Sequence, residues 1–159
     1  MAWDLHTEGL TEVSEMLGRL GDRAQDVAVG SLFDGAGIVA DAFKGAVNGI
    51  RTEPFTYKKE HRLPSPEEKA ALAGKTGIAK FNKNGSEVDT LVGFTRDAGY
   101  VQLGKRKTAV QEIARSINSG TSFMTKQPVF RKAGNAAKGA AKEAIVNKAE
   151  RMLKEIIGE

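Results

Sequence analysis

Apolar residues recur at helical spacing toward both ends of this chain and alternate only in its middle. Near the start, Leu10, Val13, Leu17 and Leu20 fall at i, i+3, i+7 and i+10, one face of a short amphipathic helix. Gly21 breaks or bends it. From Asp22 to about Ile50 a second stripe follows: Ala24, Val27/Ala28, Leu32, Gly35, Ile38/Val39, Ala42/Phe43, Ala46/Val47 and Ile50. Gly30, Gly35, Gly37, Gly45 and Gly49 interrupt it, and each costs about 1 kcal/mol relative to alanine in an isolated helix. Such a helix needs packing to persist. Small residues let another backbone come close, so the pattern predicts a neighbour there.

Periodicity is lost from 51 to 64. Pro54 ends the helix, because the residue before proline disfavours the helical region. Tyr57-Lys58-Lys59-Glu60-His61-Arg62 is charged and predicted to be exposed. Ser65-Pro66-Glu67-Glu68 has a serine cap, a proline at the first position and a glutamate three after the cap, so a helix starts there. Gly74 stops it. Residues 76–82 and 87–95 read as strands. In the second, Val88, Thr90, Val92 and Phe94 share a face opposite Glu87, Asp89, Leu91 and Thr95. Lys83-Asn84-Gly85 between them suits a hairpin, since Asn and Gly tolerate positive φ. Asp97-Ala98-Gly99 is a second turn, Tyr100 to Leu103 a third strand and Gly104-Lys105-Arg106-Lys107 a basic loop. Thr108 with Gln111 resembles a capping box, followed by the stripe Val110, Ile113, Ala114 and Ile117.

That segment ends at Asn118-Ser119-Gly120, and a polar loop, Thr121 to Gln127, makes the elbow that follows. Pro128 then opens a long helix reaching about Ile157. Its seam is Phe130, Ala133, Ala137, Ala141, Ala144/Ile145, Ala149, Met152/Leu153 and Ile156. Thirty residues span about 45 Å at 1.5 Å per residue. A narrow alanine seam suits close helix–helix contact. The predicted fold is a single α+β domain with N-terminal helices, a small antiparallel β-sheet and a long C-terminal helix packed on the sheet. Its parts are a helical arm (1–50), a linker with a short helix (51–75), a hairpin and sheet (76–103), a short helix (108–118) and the long helix (128–157).

The chain has 159 residues and no cysteine, so neither disulfides nor thiolate metal sites contribute. Its opening residues lack the basic-then-apolar pattern of a signal peptide, and no apolar run approaches the roughly 20 residues that span a bilayer. The expectation is a product of the cytoplasm with no membrane association. Residues 1–50 hold eight acidic side chains against three basic ones, so the formal +4 of the whole places +9 on residues 51–159. Such an asymmetry suits attraction between subunits, as in a head-to-tail ring, or else two solvated faces.

Candidate chemistry is sparse. Gly35-Ala36-Gly37-Ile38-Val39-Ala40 matches a dinucleotide-binding string, but that turn needs a preceding strand, and helix precedes it here. His6 and His61 have no partner at metal-ligand spacing, and no Gly-x-Ser-x-Gly elbow exists. Asp89 and Asp97 could do acid–base work, yet they belong to a charged hairpin region that suits solvent better. Asn84-Gly85-Ser86 is a glycosylation sequon of little weight without a secretory signal. Lys105-Arg106-Lys107 beside Tyr100, and Lys58-Lys59 with His61-Arg62, could contact phosphates, although no helix-turn-helix, zinc-finger or RNP signature accompanies them. We therefore expect no enzyme, cofactor or metal, and keep a DNA-associated accessory protein as the alternative reading.

One ordered set of motifs resembles a known family. It comprises Ile113-Ala114-Arg115, Ser119-Gly120-Thr121-Ser122-Phe123 and Gln127-Pro128-Val129-Phe130-Arg131-Lys132-Ala133. It also includes Gly9-Leu10, residues 65–72, residues 75–81 and Val92-Gly93-Phe94. Together these are similar to the head–tail connector, or tail-completion, proteins of long-tailed phages and prophages. Many members place Phe directly after the proline, where Val129 intervenes here. The resemblance implies a structural virion protein at the head–tail junction that forms or joins a ring. Its partners would be head-closure or adaptor proteins and the tail terminator or tail tube, with nonspecific contact to DNA in the channel. Candidate interface residues are then Lys105, Arg106, Lys107, Gly120, Thr121, Ser122, Phe123 and Gln127. Pro128, Phe130 and Arg131 would anchor the long helix. A plainer reading is that Gly120, Pro128 and Phe130 only stop one helix and start another.

Overall fold

The glycine-bearing stripe folds as one helix, α1 (Arg23–Asn48). The computed structural model describes residues 2–4, 21, 23–85, 87–94 and 96–157. The stripe from Leu10 to Leu20, together with His6, Ser86 and Thr95, lies outside them. Three further helices follow among the described residues: α2 (Pro66–Leu72), α3 (Val110–Ser119) and α4 (Val129–Ile157). The fold is α+β.

Seven short strands accompany them among the described residues: β1 (Ala2–Asp4), β2 (Thr76–Ile78), β3 (Asn82–Asn84), β4 (Glu87–Asp89), β5 (Leu91–Phe94), β6 (Tyr100–Leu103) and β7 (Arg106–Ala109). The antiparallel sheet β1-β5-β2 is centred on β5, with Ala2 opposite Gly93 and Gly77 opposite Gly93 on the other side. β3 and β4 form a hairpin through Gly85 at φ +62°. Each strand predicted over 76–82 and 87–95 is thus divided in two. The second divides at Thr90, whose buried hydroxyl donates to the Ala79 carbonyl at 2.8 Å. From Thr90 to Phe94 the predicted faces hold, with Thr90, Val92 and Phe94 pointing into the core and Leu91 outward, whereas in β4 Val88 and Asp89 are both half-buried. Tyr100 to Leu103 pairs with Arg106–Ala109 in a ribbon of its own, so Arg106 and Lys107 stand on a strand, which corrects the basic loop. The capping box at Thr108 is corrected too. Thr108 lies in β7, and α3 begins after Ala109 with no side-chain cap.

The neighbour that α1 requires is α4. Gly35 lies against Ile145 and Gly30 against Met152, so the two helices run antiparallel. Phe43 of α1, Phe94 of β5 and Phe130 of α4 meet, with ring centroids 5.6 Å apart for Phe43–Phe130 and 5.0 Å for Phe94–Phe130. The long helix therefore meets the sheet at its first turn and lies along α1 beyond it. A second, smaller cluster at the far end joins Val27 and Ala149 with Met152, Leu153 and Ile156.

The glycines of α1 differ in what surrounds them. A Cβ on Gly35 would stand 2.5 Å from Ile145 Cγ1 and 3.0 Å from the Ala141 carbonyl oxygen, while one on Gly37 would meet nothing within 4 Å. Gly37→Ala should raise stability by up to about 1 kcal/mol, from helix propensity and a less free unfolded chain. Gly35→Ala should lower it by about 1–3 kcal/mol through overpacking. Denaturant melts of the two variants check the opposite signs. Combining Gly35→Ala with Ile145→Ala should lose less than the sum of the two single changes.

Candidate functional site

The elbow after α3 is shaped first by its own backbone. Gly120 has φ +76°, and a Cβ there would come within 2.9 Å of Lys126 Cβ, so both the conformation and the space require glycine. The Thr121 hydroxyl accepts from the Phe123 and Met124 N–H groups at 3.2 and 3.0 Å, which closes a tight turn. Met124 tucks into the core while Ser122 and Phe123 stay outside.

A second loop, 51–65, is fastened to this turn. The His61 N–H donates to the Ser122 carbonyl at 3.3 Å and the Arg62 N–H to the Phe123 carbonyl at 3.0 Å. In return the Thr125 N–H donates to the Arg62 carbonyl at 2.9 Å, and its hydroxyl to the His61 carbonyl at 2.6 Å. These bonds form a short parallel bridge between Arg62 and Met124. His61 is held at φ +50°, an uncommon value for a residue with a side chain, and this bridge over-determines it.

Gln127 locks the base of the pair. Its Oε1 accepts from the Arg51 N–H and its Nε2 donates to the Arg51 carbonyl, both at 3.0 Å, as a strand neighbour would. Its own N–H donates to the Ile117 carbonyl at 2.7 Å. Gln127 is only 5% exposed, so it is an internal staple, which corrects its place among the interface residues. The chain then enters α4. Pro128 precedes the first helical residue and accepts from the Lys132 N–H at 3.1 Å. The Arg131 N–H donates to Asn118 Oδ1 at 3.0 Å, so a residue at the end of α3 caps the start of α4. Phe130 anchors α4 as expected. Arg131 anchors it only through its backbone, because its side chain is exposed.

The charged stretch 57–62 is exposed except at its last member. Arg62 forms a bidentate pair with Glu68, both bonds at 2.6 Å, and the two side chains are 11% and 2% exposed. Glu68 also accepts from the Ser65 N–H at 2.7 Å, completing the predicted capping box. Hydrogen bonding to Glu68 raises the Arg62 pKa above its already high ordinary value. Glu53 is held below the usual carboxylate range by the Lys59 ammonium first and the Leu63 N–H second. Its folded pKa is the lower one. Whatever it adds to stability is therefore complete above the unfolded carboxyl's pKa and drains away as pH falls through the folded value. Lys69 donates to the Asn48 and Ile50 carbonyls, each at 2.9 Å, and so supplies the positive charge that α1 lacks in its own last turn.

What this framework presents outward is aromatic and basic. Tyr57 is 77% exposed, Phe123 61% and Phe55 38%, with the Arg62 guanidinium 5.0 Å from the Phe55 ring. Lys58, His61 and Lys126 are exposed beside them in sequence. The second predicted patch, Lys105 to Lys107, lies on the separate β6–β7 ribbon. The glycine string at 35–40 is mid-helix, and Asp89 pairs with Asn82 across the β3–β4 hairpin at 3.0 Å. Among the described residues, no group of three His, Asp or Glu side chains could hold a metal, and no helix is long and apolar enough to cross a membrane.

Sequence reasoning placed Tyr57 in an exposed stretch, as found, but missed the Arg62–Glu68 pair, the Asn118 cap and Phe55 as a surface aromatic. Only Phe55 had a signal: an aromatic in a stretch without periodicity has no core face to occupy. Comparison with family models, curated proteins and solved structures finds no match to this chain.

Proposed function

We propose that this protein is a structural component of the head–tail junction of a tailed phage, joining a ring between the capsid connector and the tail. The resemblance over residues 113–133 motivates the reading. The observation that carries it is the clamped loop pair. Two loops from distant parts of the chain are cross-fastened by backbone hydrogen bonds, then aim Tyr57 and Phe123 at solvent. An exposed aromatic on a rigid mount loses little freedom on binding, and such residues anchor protein interfaces. The framework below it is spent on holding shape, which suits an assembly part that docks on neighbouring ring proteins.

The test is genetic. Deleting the gene from the phage or prophage that encodes it should leave DNA-filled heads and separate tails that do not join. Infectious particles of normal morphology made without the protein would overturn the proposal. A finer version uses Tyr57→Ala with Phe123→Ala. Both side chains are largely exposed, so the melting temperature should shift by less than about 4 °C, given that surface changes usually fall within about 0.5 kcal/mol each. Joining should fail nonetheless, because losing two interface anchors weakens docking by about 2 kcal/mol or more each.

A further inference from the structure

The β6–β7 ribbon is separate from the sheet centred on β5. It is a two-stranded sheet of its own, turned at Gly104 with φ +60°, and only its inner residues, such as Val101, reach the core. Lys105 sits in the turn, and Arg106 and Lys107 follow on the return strand opposite Leu103 and Gln102. All three are exposed, and no acidic residue occurs from Ala98 to Gln111. By contrast, the cations on the outer face of α4 alternate with Glu143, Glu150 and Glu155.

We propose that this ribbon is a sequence-independent contact for the backbone of duplex DNA, inserted tip-first into a groove. Successive strand residues point to opposite faces. Arg106 and Lys107 therefore leave the ribbon in opposite directions, and Lys105 leaves from its tip. A flat acidic protein surface can meet only one of these directions at a time. A groove about 12 Å wide, walled by phosphates on both sides, admits a two-stranded ribbon and meets all three. Tyr100 is exposed on the same face as Lys107, whose Nζ lies 4.8 Å from the ring centroid. That contact holds the lysine along the ribbon rather than against the body. The inference stands on the ribbon alone and does not require the junction reading.

The experiment measures binding of the full chain to a mixed-sequence 20-base-pair duplex by fluorescence anisotropy, between about 50 and 200 mM salt. Three phosphate contacts predict a slope of about −2.7 or steeper in log K against log salt. The variant Lys105→Ala/Arg106→Ala/Lys107→Ala should bind roughly tenfold or more weakly at the lower salt, with the slope flattened by about 2.7. The charge-matched variant Lys138→Ala/Lys142→Ala/Lys154→Ala, on the exposed face of α4, should retain its affinity. Circular dichroism should be the same for all three proteins. Equal losses in the two triple variants would reduce the effect to net charge and overturn the proposal. So would a wild-type protein that does not bind the duplex, or displacement of the duplex by poly-glutamate at matched charge.

Discussion

Phe130→Ala is expected to lower the stability of the protein by about 3–5 kcal/mol, the range for emptying a buried aromatic site. Phe130 is 0% exposed and touches the rings of both Phe43 and Phe94, so one side chain joins α1, α4 and the sheet. Its two ring neighbours belong to separate elements, α1 and β5, and cannot both close on the space at once, which places the effect toward the upper end. Phe130→Leu keeps most of the volume and should lose clearly less. Urea unfolding followed by far-ultraviolet circular dichroism measures both. A loss under about 1 kcal/mol for the alanine variant would mean that the three elements are held together elsewhere.

Glu68→Gln should lower stability by about 3–5 kcal/mol, although it changes a single atom. The substitution leaves Arg62 charged and largely buried without its partner, and that is the costly event. The amide can still accept from one neighbour, but it turns an unwanted N–H₂ toward the guanidinium or the Ser65 N–H. Changing both partners to apolar residues, Arg62→Leu with Glu68→Met, should recover much of the loss, because the isolated charge is then gone. The Ser65 N–H still lacks an acceptor in that double variant, so recovery should be incomplete. Stability that falls further in the double variant than in Glu68→Gln would contradict this account.

The elements that stand on local periodicity were legible in the sequence. The stripe of α1, the capping box of α2, the stripe of α3 and the alanine seam of α4 all appear where their spacing puts them. The glycines of α1 even announced a close neighbour. What was not legible depends on residues far apart in the chain. Gln127 looks like any polar loop residue until Arg51 is beside it, 76 positions away. Arg62 looks like one more surface cation until the buried Glu68 carboxylate takes both ends of its guanidinium. Strand β1 is three residues long, too short for any alternation to show, and its place follows from the free edge of β5. The basic tripeptide read as a loop because its own strand is only four residues long and opens on two cations directly after the Gly104-Lys105 turn, with no apolar alternation to mark it. Of the candidate site, the elbow and the cations were visible, and the clamp that makes the elbow rigid was not.

The antiparallel seam between α1 and α4 also governs how the molecule is made. Gly35 waits for Ile145, about 110 residues later in the chain. At roughly 5–20 residues per second, a ribosome needs on the order of 5–20 s to deliver that partner. During this interval α1 is a glycine-weakened segment whose α4-facing side has no partner. A nascent chain that stops short of α4 can pack α1 only against the sheet and α3. Closure of the glycine seam is thereby tied to finishing translation.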